Sequence, residues 1–492
     1  MEKQKFILLP VKTTLALRSE DKTINPKVTN FFGRLSSVRS KPMRLVKRLD
    51  KPLPVKVIDS VHEQGAKLVE LSLDKLPDFQ MAYPGMRLVP EVFYKKAIQP
   101  PQPLNRLVSV AASTRKKTIL TVTDETGVPV KGASVYAYSD VQSGSGVDGK
   151  TNSKGKFTIS LPGSVKKLEQ ILIYPPHSYW PSCSKNVSLN QPITISLQPI
   201  DVNYEDGVRH FYKTSSLPVI QKDIKVGVID TGVGPHASLK VEGGACTIPR
   251  NRKSDYKDVD NHGTHVAGII ASTKDPIGVA PGVKLYAYRV FPKNGDASNY
   301  SIMKAISQAV DDGCLLINLS LGMDEADEAT NSQIADAYSR GVICFAATGN
   351  EGRQPVFFPA AYSLAIAVTA MGRKGTFPPN TEPIVDVKAP YGKDKKNFVA
   401  AFSNIGPQVK MTAPGVGIIS CYPGNKFQVL SGTSMACPAA TGIAARLLAK
   451  EGKIIKKAPT AQRSDEMVKF LLTKLQLMGF GPRYEGKGML KV

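Results

Sequence analysis

Gly432-Thr433-Ser434-Met435-Ala436 opens an apolar helical stretch late in the chain, and two shorter stretches upstream complete its chemistry. These are Asp230-Thr231-Gly232 and His262-Gly263-Thr264-His265. A serine hydroxyl is a poor nucleophile at neutral pH unless an imidazole takes its proton and a buried carboxylate orients that imidazole. The three stretches supply those three groups, each among small residues that let the backbone turn sharply or approach a ligand closely.

The order of the three groups along the chain is Asp, His, Ser. Chymotrypsin-like enzymes have the order His, Asp, Ser, and α/β-hydrolases have the order Ser, acid, His. From residue 225 to about residue 492 the chain resembles the subtilisin family of serine peptidases, which has the observed order. The resemblance extends over five successive motifs: KVGVIDTGV, DNHGTHVAG, INLSLG, AATGNEG and LSGTSMACPAATG.

The same region predicts an α/β fold with a mostly parallel sheet. Short apolar runs at residues 226–229, 315–319 and 342–346 alternate with helical stretches, as in sheets that are covered on both faces. Open α/β sheets place their sites at the carboxyl ends of the strands. We therefore expect the three groups to meet at that edge.

The resemblance implies a role for each group. Ser434 would attack the substrate carbonyl, His262 would act as the general base, and Asp230 would orient the imidazole. Asn350, in AATGNEG, corresponds to the side-chain donor to the oxyanion in this family, and the backbone amide of Ser434 is the second donor. His265 is interpreted as a packed or hydrogen-bonded helix residue.

Each of these residues also has a plain structural interpretation. Asp230 could be a turn aspartate after a strand, Ser434 an ordinary serine at a helix N-terminus, and Asn350 a residue of a polar turn. His262 and His265 could share a metal ion, but neither an HExxH pattern nor Cys/His companions lie nearby. We therefore predict no metal ligands, and the surrounding motifs favour the catalytic assignments.

Substrate-binding residues follow from the same resemblance. Ser320, Leu321 and Gly322 match an edge strand that pairs with an extended peptide. Tyr300 matches a residue that covers the pocket for the fourth substrate side chain before the cut, although a tyrosine half-buried at a helix start is the alternative. Phe357 stands where relatives often have glycine, so its ring either fills the pocket for the residue before the cut or packs into the core.

Residues 1–104 predict a small α+β region. A helix at residues 55–64, closed by Gly65, precedes a strand at residues 67–71 and a second run at residues 86–94, which is expected to be an extended tail. This pattern resembles the prodomain of subtilases, which assists folding and leaves its tail in the cleft; an unrelated α+β module is the alternative. The resemblance implies that the region inhibits the peptidase in cis until it is cleaved.

Residues 105–200 change to strand-rich segments separated by turns such as Asp124-Glu125-Thr126-Gly127 and Ser153-Lys154-Gly155. They predict a small β-sandwich that resembles prealbumin-like or bacterial Ig-like modules, and no residue in it suggests catalysis. The peptidase domain then occupies residues 201–492.

Composition limits the possible partners and compartments. The formal net charge is +24, from 65 Lys and Arg against 41 Asp and Glu, but no nucleic-acid-binding motif accompanies it. We therefore predict no specific nucleic-acid partner. The chain has neither a bilayer-length apolar stretch nor a signal-peptide core, which predicts a cytoplasmic or non-classically exported protein without a membrane partner. The six cysteines show no close spacing and are expected to be reduced thiols.

Calcium is the cofactor that many relatives use, and two segments bear on it. His236-Ala237-Ser238-Leu239 lacks the aspartate that calcium-binding members have after His-Pro. The loop Ser272-Thr273-Lys274-Asp275-Pro276-Ile277 is short and contains a lysine. Because calcium prefers six to eight oxygens, commonly including carboxylates, we predict no cofactor.

The sequence as a whole predicts a serine endopeptidase that acts on protein or peptide substrates. The alternative is a binding or scaffold protein with a vestigial peptidase domain, in which the β-sandwich carries the function. The complete set of Asp230, His262, Ser434 and Asn350 argues against that alternative.

Overall fold

The computed structural model describes residues 3–9, 55–62, 65–82, 86–97, 105–106 and 115–492. The boundary predicted at residue 104 therefore lies outside the described residues. Within the described part, no helix is both long enough and apolar enough to span a bilayer. All six cysteines are buried and unbridged.

The N-terminal region is an antiparallel sheet with a helix after its third strand. The sheet has the order β2-β3-β1-β4. Its elements are β1 (Lys3–Leu9), β2 (Lys56–Ser60), β3 (Lys67–Ser72), a 3-10 turn (Leu73–Lys75), α1 (Leu76–Ala82) and β4 (Arg87–Pro90).

The helix predicted at residues 55–64 is wrong, because this segment contains strand β2. Val57 and Ile58 are β-branched neighbours, and a run this short does not distinguish a strand from a buried helix turn. Pairing with β3 decides the outcome, and the Lys67 ammonium secures it by donating to Ser60 Oγ and to the His62 carbonyl, both at 2.6 Å.

Two sheets share one core in the next part of the chain, which we call the two-sheet module. Their orders are β10-β7-β13 and β12-β11-β8-β9-β6. The strands are β6 (Asn105–Arg106), β7 (Arg115–Asp124), β8 (Ser134–Asp140), β9 (Ser145–Lys150), β10 (Lys156–Pro162), β11 (Lys167–Tyr174), β12 (Ser182–Ser188) and β13 (Ile193–Leu197). Leu120 and Val122 from one sheet and Ile171 and Ile173 from the other lie in the same apolar cluster. Alternate residues along these strands therefore face each other across the module.

Trp180 joins the module to the rest of the molecule. It is the only tryptophan, it is 1% exposed, and it belongs to the apolar core of the large sheet described below. Its ring centroid lies 5.2 Å from that of Tyr204 in an edge-to-face arrangement. Beside it, the Cys183 N–H donates to the Asn380 carbonyl at 2.8 Å, so main-chain hydrogen bonds reinforce the apolar contact.

The C-terminal region is built on a nine-stranded sheet of order β15-β16-β14-β18-β20-β21-β23-β22, with β24 paired to β21. Every pairing is parallel except those of β23 with β21 and β22. The nine strands of this sheet are β14 (Lys225–Asp230), β15 (Val241–Cys246), β16 (Lys284–Arg289), β18 (Leu316–Leu319), β20 (Ile343–Ala347), β21 (Ala365–Arg373), β22 (Val387–Tyr391), β23 (Asn397–Ala400) and β24 (Val409–Pro414). Smaller sheets contain β17 (Ala297–Ser298), β19 (Leu321–Gly322), β25 (Ile418–Tyr422), β26 (Lys426–Leu430), β27 (Leu475–Gln476) and β28 (Met489–Leu490). The expectation of an α/β fold with a mostly parallel sheet is confirmed.

Helices cover both faces of this sheet. They are α2 (Gly207–Tyr212), α3 (His262–Ala271), α4 (Asn299–Asp311), α5 (Glu328–Ser339), α6 (Thr433–Lys450), α7 (Gly452–Ile455), α8 (Ala461–Thr473) and α9 (Pro482–Glu485), with 3-10 turns at Thr214–Ser216 and Glu382–Asp386. Residues of α3 and α6 share one apolar cluster with the sheet, and residues of α4 and α5 share the other.

Helix α6 is deeply buried, since every residue from Thr433 to Ala449 is buried. Gly442 allows this depth. A Cβ at that position would lie 2.4 Å from Val279 Cγ2, in the segment that follows α3, so glycine lets α6 pack tightly against that segment and come into contact with Ile270 of α3.

We expect Gly442→Ala to lower the free energy of unfolding by about 1–3 kcal/mol, because overpacking a tight core costs that much. Equilibrium urea unfolding followed by circular dichroism measures the change. Lys450→Ala, at the exposed end of the same helix, is the control and should leave the free energy of unfolding nearly unchanged. Equal stability of Gly442→Ala and the parent protein would contradict the close-contact explanation.

Candidate active site

Asp230 and His262 meet at the carboxyl edge of the large sheet. Asp230 is the last residue of β14, and His262 is the first residue of α3. His262 Nδ1 lies 2.7 Å from Asp230 Oδ1, and neither side chain is exposed to solvent. The Thr231 N–H also donates to Asp230 Oδ1 at 2.7 Å, so the imidazole and a backbone amide meet at the same carboxylate oxygen. This geometry fixes the imidazole with Nε2 directed away from the carboxylate.

A direct contact between two backbones brings these residues together. A Cβ on Gly263 would lie 2.0 Å from the Gly232 carbonyl oxygen, so only glycine can follow His262 here. The Gly263 N–H also donates to Thr231 Oγ1 at 2.8 Å. The small residues of both motifs therefore serve to bring the start of α3 against the end of β14.

Asp258 secures the same contact, and the sequence motifs did not single it out. Its carboxylate accepts hydrogen bonds from Thr231 Oγ1 and from the N–H groups of Asn261 and Thr264, each at 2.8 Å. Burial raises the pKa of Asp258, although the hydrogen bonds oppose that shift. Asp258 acts as a positioning residue for the start of α3.

Ser434 is the second residue of α6 and is fully buried. Its hydroxyl donates to the Ser320 carbonyl at 3.0 Å, and the Ser320 hydroxyl donates to the Ser434 carbonyl at the same distance. Among the described residues, no hydrogen-bond partner reaches His262 Nε2. The nucleophile and base predicted from the sequence are thus buried, with the hydroxyl turned toward Ser320, which lies between β18 and β19.

Asn350 follows β20 and presents an amide donor with no partner. Its Oδ1 accepts hydrogen bonds from the Thr433 N–H and hydroxyl, both at 2.9 Å, which fixes the orientation of the amide. Its Nδ2 is buried and has no hydrogen-bond partner within the described part of the chain. An unpaired buried donor that is held this firmly is expected where a ligand oxygen will be bound.

Strand β5 (Phe93–Lys96) of the N-terminal region lies against this site. It pairs antiparallel with β17 on one side and with β19 on the other. Ala97 continues the pairing, because its N–H donates to the Ser320 carbonyl at 3.3 Å and its carbonyl accepts from the Ser434 N–H at 3.2 Å. Ser320, Leu321 and Gly322 thus bind an extended segment of the chain itself.

Two side chains of this segment are held by acids that sequence reasoning missed. Tyr94 is fully buried, and its hydroxyl donates to Asp327 Oδ2 at 3.0 Å. Lys96 forms an ion pair with Asp260, next to the His262 motif. In the sequence, Asp327 looks like an ordinary N-cap before α5, which it also is, so no local signal distinguished it.

Phe357 lies between two segments that flank Ser434, one containing Gly322 and the other containing Gly349. A Cβ on Gly349 would lie 3.0 Å from the Phe357 Cγ, and a Cβ on Gly322 would lie 3.3 Å from the Phe357 Cβ. The side chain is half-buried and outside the main apolar clusters.

Tyr300 and His265 occupy separate environments. Tyr300 is fully buried in an apolar cluster with Ile7 and Leu68 of the N-terminal sheet, whereas Tyr94 belongs to a different cluster. His265 Nε2 lies 3.1 Å from two carbonyl oxygens, of Ile418 and Gln428. Burial lowers the pKa of His265 to about 3, with the nearby His262 adding to the effect, so His265 is a neutral packed residue as expected.

Comparison with known proteins identifies the fold that carries this site. Residues 221–474, slightly more than half of the chain, match the subtilase family, peptidase S8. The chain belongs to the subtilase family. The resemblance to the subtilisin family is confirmed.

Three subtilases illustrate the extent of the similarity. A thermostable alkaline protease from Halalkalibacterium halodurans is 37% identical over 224 residues, which are 45% of this chain and 55% of that protein. Subtilisin DY from Bacillus licheniformis is 34% identical over 278 residues, 55% of this chain and 89% of that protein. Subtilisin Savinase from Lederbergia lenta is 37% identical over 225 residues, 45% of this chain and 75% of that protein. The chain thus spans about half the length of the first relative and most of the second.

The two loops considered for calcium do not fit the ion. The Ser238 carbonyl already accepts hydrogen bonds from the N–H and the hydroxyl of Thr273, at 3.0 and 3.1 Å. The Lys274 carbonyl accepts from the Ser272 hydroxyl at 2.8 Å. Asp275 is the only carboxylate of the loop at residues 272–277, and Lys274 beside it opposes a cation. Two of the carbonyl oxygens that could coordinate calcium are therefore already bonded within the subtilase domain.

We expect removal of divalent cations to leave the thermal stability of this subtilase unchanged. Differential scanning calorimetry with and without EDTA, and with calcium restored, measures the unfolding temperature. A large drop on chelation that calcium reverses, and that a Ser238 or Asp275 substitution abolishes, would contradict the poor fit of these loops.

Proposed function

We propose that the protein is a serine endopeptidase that hydrolyses peptide bonds through an acyl-enzyme. Ser434 is the nucleophile, His262 accepts its proton at Nε2, and Asp230 orients the imidazole from Nδ1. The observation that carries the proposal is the fully buried 2.7 Å contact between His262 and Asp230, which leaves Nε2 without a described partner. Membership of the subtilase family supports the same assignment.

The reaction begins when the Ser434 hydroxyl turns from the Ser320 carbonyl to His262. It gives its proton to Nε2 while its oxygen bonds to the substrate carbonyl carbon. The negative charge that forms on the carbonyl oxygen is held by the Ser434 N–H and by Asn350 Nδ2. His262 then returns the proton to the amine as the C–N bond breaks, and water repeats the sequence to release the acyl group.

The competing function, a scaffold with a vestigial peptidase domain, does not explain why the buried Nδ2 donor of Asn350 is left unpaired. An unpaired buried donor costs about 1–3 kcal/mol in the resting protein. Thr433 holds the Asn350 amide in the orientation that leaves Nδ2 unpaired, and a binding protein gains nothing from that cost. The endopeptidase is therefore the better supported function.

Residues 1–97 are proposed to inhibit this site in cis and to be removed by cleavage of the Ala97–Ile98 bond. Support comes from the β5 pairing and from the Ala97 carbonyl, which accepts from the same Ser434 N–H that would stabilise the oxyanion. Charge contacts outside the cleft add to the docking, since Lys304 Nζ lies 2.6 Å from Asp59 Oδ2. Because the two-sheet module follows Ala97 in the chain, we expect it to stay attached to the peptidase after the cut.

The pocket for the residue before the cut is proposed to be shallow. Phe357 touches both segments that would form its walls, which leaves room for a side chain of about the size of alanine. The residue at the proposed cut, Ala97, is that small and is itself buried. The position of Phe357 and the small size of Ala97 thus both favour a small residue immediately before the cut.

We expect Ser434→Ala to remain a single chain of 492 residues, whereas the parent protein yields a fragment that begins at Ile98. Loss of a triad serine lowers kcat by roughly a millionfold, so no cut should be seen. N-terminal sequencing and mass spectrometry locate the cut, and a fluorophosphonate probe should label only chains that contain Ser434. Ser216→Ala removes an exposed serine far from the cleft and is the matched control. Peptide hydrolysis by a clean Ser434→Ala preparation, or full activity of the uncut parent, would contradict the proposal.

We expect Phe357→Gly to broaden the preference at the cut. The parent should cleave after alanine roughly tenfold or more faster than after phenylalanine in kcat/KM, because overpacking the pocket opposes the larger ring. The variant should reduce or reverse that ratio. Gln354→Gly, an exposed position in the same short segment, controls for loop flexibility. An unchanged ratio in Phe357→Gly means that the ring does not form the base of the pocket.

A further inference from the structure

Tyr94 is the most completely enclosed side chain of the segment in the cleft. It lies three residues before Ala97, it is 0% exposed, and its ring packs in an apolar cluster with Phe291, Ala297 and Leu321. At the end of the ring, the hydroxyl donates to Asp327 Oδ2 at 3.0 Å. Burial, with Asp327 nearby, raises the pKa of Tyr94, so the phenol is a neutral donor.

The peptidase domain holds Asp327 in place without help from Tyr94. Its carboxylate accepts from Asn299 Nδ2 at 2.8 Å and, as the N-cap of α5, from the N–H groups of Ala329 and Thr330, both at 3.0 Å. Its backbone N–H donates to the Tyr362 hydroxyl at 2.7 Å, and that hydroxyl donates to the Asp327 carbonyl at 2.6 Å. The acceptor is thus oriented by groups of the peptidase domain itself.

Asn299 extends this arrangement to the backbone of the bound segment. Its Nδ2 donates to the Pro90 carbonyl at 3.1 Å, and its Oδ1 accepts from the Val92 N–H at 3.2 Å. The same side chain therefore contacts both Asp327 and the chain that enters the cleft. These contacts fix the distance between Pro90 and Val92, where the chain enters the cleft, and Tyr94.

We propose that Asp327 is a specificity-determining residue that selects tyrosine three residues before the residue at the cut. Together with the shallow pocket at Phe357, it defines the substrate class as extended segments of the form Tyr-Xaa-Xaa-Ala. The inference rests on the proposed endopeptidase function, and it adds the hydroxyl contact as the feature that distinguishes tyrosine from phenylalanine. A phenylalanine would occupy the same apolar space but would leave the buried Asp327 carboxylate without the fourth of its hydrogen-bond partners, so that Oδ2 keeps only the Thr330 N–H.

The first test compares two internally quenched peptides that differ only in that hydroxyl, one containing Tyr-Lys-Lys-Ala and the other Phe-Lys-Lys-Ala. Active sites are counted with a fluorophosphonate probe on the processed protein. We expect kcat/KM to be roughly 10- to 100-fold higher for the tyrosine peptide. Asp327→Asn should bring the two values close together by slowing the tyrosine peptide. Asp324→Asn, an exposed acid shortly before Asp327, should keep the preference.

A second test needs no hydrolysis and separates this inference from the proposed function. In full-length Ser434→Ala, hydrogen–deuterium exchange followed by mass spectrometry reports how firmly residues 93–97 occupy the cleft. Tyr94→Phe and Asp327→Asn should each raise their exchange rate roughly tenfold, and the double variant should add little more, because the two changes remove one contact. Additive effects would mean that the residues act separately.

The outcomes distinguish a failure of the Asp327 inference from a failure of the endopeptidase proposal. Equal kcat/KM for the two peptides with a labelled, active parent protein overturns the role of Asp327 and leaves the endopeptidase intact. If the parent neither binds the probe nor cleaves a peptide, the endopeptidase proposal fails, and the exchange experiment alone decides whether Asp327 recognises the tyrosine hydroxyl.

Discussion

The burial of α6 is the constraint on which the remaining structure depends. A helix whose side chains are enclosed from Thr433 to Ala449 cannot shift without disturbing the strands beneath it. Its first turn is therefore a rigid platform, and Ser434 and the orientation of Asn350, set through Thr433, both depend on it. The close approach at Gly442 then ties α6 to α3, the helix that begins with His262. One packed helix thus aligns groups that lie far apart in the sequence.

The cleft recognises an extended chain in two different ways. Main-chain hydrogen bonds along β19 are indifferent to side chains and hold any segment that can extend. Asp327 accepts a hydrogen bond from the enclosed Tyr94 side chain, and Phe357 is proposed to limit the pocket before the cut to a small side chain. Residues 93–97 of the N-terminal region use both kinds of contact. This explains how so short a segment is held firmly in the cleft.

The sequence predicted the centre of this site better than its surroundings. Asp230, His262, Ser434 and Asn350 sit in short motifs because glycines and other small residues must accompany them, and Gly263 shows the steric reason. Asp327 carried no such signal, since a helix-capping aspartate looks the same whether or not it binds a hydroxyl. The helix predicted at residues 55–64 failed because pairing with β3 outweighs a weak local pattern. Tyr300 could not be placed from the sequence because its cover comes from a distant sheet.

Trp180 gives the molecule an optical property that follows from its position. Because it is the only tryptophan and lies at the junction between the two-sheet module and the large sheet, nearly all indole emission originates from that one contact. Separation of the two parts would expose the ring to water and shift its fluorescence to longer wavelength. Events confined to the cleft or to the N-terminal sheet would leave the spectrum almost unaltered. The chain therefore carries an intrinsic reporter for the attachment of its middle module.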